Sequence, residues 1–124
     1  MDSTQIIDPL GTANFFIKLK RYDDAKKVLD ILRPYAKGLE ELDQIGKCYS
    51  DCREFNESLE IALELYGMVK DKNSKYDARV NIIRACLNLN KPLQALEYIK
   101  INEQIAPDDH PNRMDKALAY FLLN

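Results

Sequence analysis

Three cysteines and one histidine are the residues of this chain best suited to metal or nucleophilic chemistry. Cys48 and Cys52 lie four residues apart, a spacing that puts both thiols on one face of a helix. Zinc wants four ligands, and no further Cys or His pair supplies the rest, so the two read as buried thiols. Cys86 also reads as core. A nucleophilic cysteine needs a base, and His110 is far along the chain from all three. Asp108-Asp109-His110 holds ligand types, but it stands directly before Pro111, where an aspartate is wanted to cap a helix. No glycine-rich phosphate loop occurs, and Glu40-Glu41 reads as a solvated pair. The sequence thus predicts no catalytic residue, no metal site and no cofactor.

The composition is that of an ordinary soluble protein: 124 residues, 46% hydrophobic and 31% charged. Only four glycines and five prolines are present, and helix formers dominate, which points away from an all-β fold. A net charge of −2 argues against a general nucleic-acid binder, which would carry a basic excess. An odd, sparse cysteine count argues for a reducing compartment, and Met1 to Gln5 has neither the basic nor the apolar run of a secretory signal. No apolar run approaches a membrane span. The expected location is the cytoplasm.

Apolar residues recur at intervals of three and four, the mark of helices with one buried face. The spacing predicts seven. The first starts at Asp8-Pro9 and runs to about Lys20, and the second carries Ala25, Val28, Leu29 and Leu32 until Pro34 ends or bends it. The third spans about 39–51 and the fourth about 55–69. A charged loop, 70–75, follows, with Ser74 and Asp77 as a capping box for a fifth helix over 76–89. The sixth restarts at Pro92 and fades after Asn102. The seventh covers 112–123.

The helices repeat. The small residues Ala25, Ser58 and Ala95 are 33 and 37 residues apart, and Ala13, Gly46, Ile83 and Ala117 are 33, 37 and 34 apart. The offset from first helix to second is 12 in each complete pair. Ile45-Gly46-x2-Tyr49, Tyr22-x2-Ala25, Phe55-x2-Ser58, Ala106-Pro107 and Ala117-x2-Tyr120 together resemble the pattern of tetratricopeptide repeats, whose period is about 34 residues. The resemblance covers nearly the whole chain. It departs where Ile83 and Cys86 replace the small and aromatic pair, and where Asn102 takes the place of a small apolar residue. It implies an all-α, right-handed α-solenoid of antiparallel helix pairs in a single domain, 1–124. The repeats would be 6–38, 39–75 and 76–109, with a half repeat over 110–124. Small residues suit such a fold, because closely packed helices approach to about 8–10 Å.

In that family the first helix of each pair lines a concave groove that binds peptides. The groove positions here would be Leu10, Asn14, Ile17 and Lys18; Asp43, Lys47 and Ser50; Val80, Arg84, Leu87 and Asn88; and Met114, Leu118 and Phe121. Lys47 and Arg84 fall at places equivalent to Asn14, where two cations could hold a carboxylate or backbone carbonyls. Glu40 and Asp43 intrude on the family's carboxylate-clamp pattern. The expected function is non-catalytic binding of a protein or peptide segment with an apolar anchor. An accessory domain of a larger enzyme, such as a transferase or hydroxylase, is the alternative. The apolar run 119–123 is unlike a polar capping helix. It suggests that the chain is the N-terminal part of a longer protein, and that its last helix could pair with a second copy.

Overall fold

The computed structural model describes residues 9–107 and 110–124. Among them the chain is all-helical, with seven α-helices and no strand: α1 (Pro9–Lys18), α2 (Tyr22–Leu32), α3 (Gly38–Asp51), α4 (Phe55–Met68), α5 (Lys72–Asn88), α6 (Pro92–Ile105) and α7 (His110–Leu123). Contacts gather into two compact units, Met1–Ser58 and Leu59–Asn124. In the first, α1 packs on α2, and α3 touches both. In the second, α5 packs on α6 and α6 on α7, while α5 also touches α7. No described helix is long and apolar enough to cross a membrane.

One turn recurs three times. Lys20, Arg53 and Asn90, which follow α1, α3 and α5, all take left-handed backbone, with φ of 59°, 63° and 57°. In each copy the next amide reaches back five residues, Arg21 to Phe16, Glu54 to Tyr49 and Lys91 to Cys86, at 2.8–2.9 Å. The left-handed residue itself bonds three back, to Ile17, Ser50 and Leu87. These two bonds make a Schellman motif, which satisfies the last carbonyls of a helix and turns the chain sharply. The next helix starts within two residues, and Ala25, Ser58 and Ala95 bond to Arg21, Glu54 and Lys91 at 3.1 Å to open it. The three left-handed positions are 33 and 37 residues apart, the spacing of the small residues.

Other ends follow local rules. Pro34 cannot donate a backbone bond, so α2 tightens into a 3-10 turn over Arg33–Tyr35. Gly38 opens α3 at φ 88°, where only glycine is unstrained. The start of α5 departs from the sequence reading. Asp71, not Ser74, is the N-cap, and its carboxylate accepts the Ser74 amide at 2.9 Å. The helix therefore takes in Lys72 to Lys75, which read as loop because their charges hide a helix with no apolar stripe. Asp8, Asp108 and Asp109, read as caps, lie outside the described residues.

The small residues sit inside as expected: Ala13, Ala25 and Ala95 are fully buried, and Gly46 and Ser58 are buried too. Ala117 is the exception. It is exposed, and Ala119 is the fully buried alanine of α7. In the first unit Tyr49 is buried, and its hydroxyl donates to Asp30 at 2.6 Å. Lys26 pairs with the same carboxylate at 3.0 Å. Burial pushes the Asp30 carboxyl up, but the Tyr49 and Lys26 hydrogen bonds outweigh it and hold the group below the usual carboxylate range. Burial and the nearby carboxylate drive the Tyr49 hydroxyl far above its ordinary range. In the second unit the core is built from Leu59, Ala62, Ile82, Ile83, Cys86, Leu96, Ile99 and their neighbours.

Two outcomes are expected. A left-handed side chain costs more than glycine, so Arg53→Gly should raise the unfolding free energy by roughly 0.5–1 kcal/mol in urea melts. A lower midpoint would mean that the arginine side chain contributes more than its backbone strain costs. For the Tyr49–Asp30 bond, the lowered Asp30 pKa means stability that is present above the unfolded value and lost as pH falls through the folded one. Tyr49→Phe should cost about 1–2 kcal/mol at pH 7, and progressively less as acid protonates the lowered Asp30 carboxyl. A pH-independent loss would point to packing alone.

Candidate interaction surface

The expected groove residues fall in both units and behave differently in each. In the first, α1 carries Asn14, which is exposed, and Ile17, which is half-buried. The Cys48 thiol on α3 donates to Asn14 Oδ1 at 3.4 Å, so the amide is anchored between helices. Lys47 is exposed, but its ammonium lies 3.0 Å from Asp43 one turn earlier. Such an exposed pair is weak and opens easily to a stronger anion. Leu10 is half-buried, and Lys18 and Ser50 are exposed.

In the second unit Arg84 and Asn88 are exposed on α5, and Asn88 Nδ2 donates to the Arg84 carbonyl at 2.8 Å. Leu87, expected in the groove, is instead a core residue at 7% exposure. It belongs to the same buried cluster as Ile83, one turn earlier, so it offers a partner almost nothing. Arg84 has a counter-charge the sequence did not reveal. Burial raises the Asp115 carboxyl of α7, and the Arg84 cation opposes the shift.

In this unit α7 exposes a row of apolar side chains. Met114, Leu118 and Phe121 are 58%, 44% and 74% exposed. Their spacing of four and three residues puts them on one helix face. The fully buried Ala119 lies on the far side of the helix, and the half-buried Leu122 on the flank of the row packs against the core as well.

No group of three metal-ligating side chains occurs among the described residues. All three cysteines are buried and free. Burial pushes the Cys52 thiol up to about 11 and raises Cys48 and Cys86 as well. Neutral thiols are poor nucleophiles. No protein-family model matches this chain, and neither a curated protein nor a solved structure matches it.

The sequence reading missed one polar cluster in the second unit. Arg79, only 5% exposed, donates from Nε to Asn102 at 2.6 Å and from Nη1 to the Tyr66 hydroxyl at 3.3 Å. Asn102 was the available signal: a fully buried amide at a place that suits a small apolar residue must have a polar partner nearby.

A half-buried carboxyl with a raised pKa works against folding once charged. Its contribution is fully favourable below the unfolded value and is lost as pH rises through the folded one. Asp115→Asn should therefore raise the melting temperature at pH 7 and leave it unchanged near pH 3. A lower melting temperature at pH 7 would show that Arg84 needs the charge more than burial resists it.

Proposed function

We propose that this chain is a non-catalytic protein-interaction module of tetratricopeptide type. Its helices pair antiparallel and stack as a right-handed solenoid, and first helices line a face that holds a partner segment. Three features support the architecture: the thrice-repeated Schellman turn, the buried small residues at the same spacing, and the contacts of α1 with α3 and of α5 with α7, which join alternate helices.

The binding reading is carried by one observation. The second unit exposes an apolar row, Met114, Leu118 and Phe121, on a helix whose other side is seated in its core. The partner chemistry that fits is a peptide segment with an apolar or aromatic anchor, set against α7. Arg84, exposed on α5, would orient a polar backbone group of that segment. On the first unit, considered by itself, the proposed contact residues are Asn14, Ile17 and Lys47.

A random-peptide library selected on the immobilised chain tests this. The selected peptide should bind wild type saturably. It should lose at least about tenfold in affinity to Phe121→Lys, because covering an aromatic side chain contributes roughly 1.5–3 kcal/mol. Leu93→Lys, at an exposed apolar position on α6, is the control and should bind as wild type does. Equal binding by Phe121→Lys sinks the proposal. So does light scattering that shows a wild-type dimer which Phe121→Lys turns into a folded monomer, because the row would then belong to a second copy.

A further inference from the structure

The second unit holds two cations around one tyrosine. Lys75 Nζ lies 4.6 Å from the centre of the Tyr66 ring and donates to the Tyr66 carbonyl at 3.0 Å. The Arg79 guanidinium carbon lies 5.7 Å from the same centre. The ring is braced from another side by Tyr98, edge-on at 5.8 Å and 85°. Lys75 and Arg79 are one turn apart on α5, so they share a face.

Every bond these cations make among the described residues goes to a neutral group. Arg79 uses Asn102 Oδ1 and Tyr66 Oη, and Lys75 uses a carbonyl. Among the described residues no carboxylate pairs with either of them, although Lys26, Lys47 and Lys116 all have one. A guanidinium buried without a counter-charge is costly to hold. The cluster is also rich in donors and poor in acceptors. The Tyr66 hydroxyl accepts from Arg79 and keeps its own proton to give. Lys75 has donor capacity left beyond its one bond. Asn102 Nδ2 is buried with no partner among the described residues. Arg79 Nη2 has none among them either and, unlike Asn102 Nδ2, is not cut off from solvent. One ligand class answers both imbalances at once, because an oxyanion brings negative charge and several acceptor lone pairs together.

We propose that Lys75, Arg79 and the Tyr66 hydroxyl form an oxyanion site, the anion seated on Arg79 Nη2 and Lys75 Nζ. Asn102 is its positioning residue: it holds the guanidinium through Nε and leaves Nη2 for the anion. The site takes a carboxylate or a phosphate, whether carried by a partner or free in solution. It is independent of the apolar row on α7.

The test follows the Arg79 side-chain Nε–Hε resonance by NMR in the full chain, at constant ionic strength set with sodium chloride. Acetate and inorganic phosphate are titrated separately. A saturable shift of Arg79 is expected, absent from the exposed Arg53. Saturation by acetate alone assigns a carboxylate ligand, and saturation by phosphate alone a phosphate; either supports the site. Lys75→Gln should weaken the binding about tenfold, the effect of one charge-assisted hydrogen bond. Tyr66→Phe should weaken it less while leaving the fold intact. These two variants keep Arg79 in place, so the test does not depend on an Arg79 variant that fails to fold. A linear drift shared by Arg53 and Arg79, or saturation that Lys75→Gln leaves unchanged, overturns the proposal.

Discussion

The left-handed residue that closes α1, α3 and α5 is the constraint on which the local structure rests. A helix ends with four carbonyls unsatisfied, and a chain that stops there must find them partners. Lys20, Arg53 and Asn90 solve this in one way, by turning the next amide back onto the helix. The solution is sharp enough that α2, α4 and α6 each begin within two residues. Such brevity leaves little freedom in how one helix leaves another. Where α1 packs on α2 and α5 on α6, the small residues Ala13, Ala25 and Ala95 are fully buried. None of the three turns uses glycine, so the backbone strain is carried by long or polar side chains.

Each unit then buries polar groups in its own manner. The first gives its buried tyrosine to a carboxylate, and Tyr49 and Asp30 leave no charge unanswered because Lys26 stands on the other side. The second also ties its last helix in by an amide: Asn112, almost fully buried, donates to the Tyr76 hydroxyl at 2.8 Å and to the Ala106 carbonyl at 3.1 Å. Its Arg79–Asn102 pair is different, because the cation meets only neutral oxygen among the described residues. A purely structural core has no need of that arrangement; a leucine and an alanine would fill it at lower cost.

The helices were legible because apolar residues at three- and four-residue intervals fall on one side of a helix and on both sides of a strand. Their order and rough limits hold through α4. Reading failed where that signal is weak. Lys72 to Lys75 carry no apolar face, so one full turn of α5 passed for loop, and Ser74 passed for the cap that Asp71 supplies. On α7 the repeat alignment chose Ala117, but seating the helix on the core turned Ala119 inward. The same alignment puts Leu87 on a binding face, whereas it is buried in the core of the second unit. Each error on α7 and at Leu87 is one of helix rotation, which depends on where neighbouring helices sit.

The sequence by itself determined the helical class, the sharp turns after α1, α3 and α5, and the burial of Ala13, Ala25, Gly46, Ser58 and Ala95 at repeated spacing. These follow from local rules: propensity, periodicity, and the refusal of proline to donate. Only the tertiary structure decided which charges meet. Asp43 beside Lys47 was within reach of a one-turn rule, but Asp115 near Arg84, Asp30 under Tyr49 and Asn102 against Arg79 join residues on different helices. Electrostatic partners are fixed by distance in space, and a chain carries that distance nowhere in its order of residues until its helices have packed.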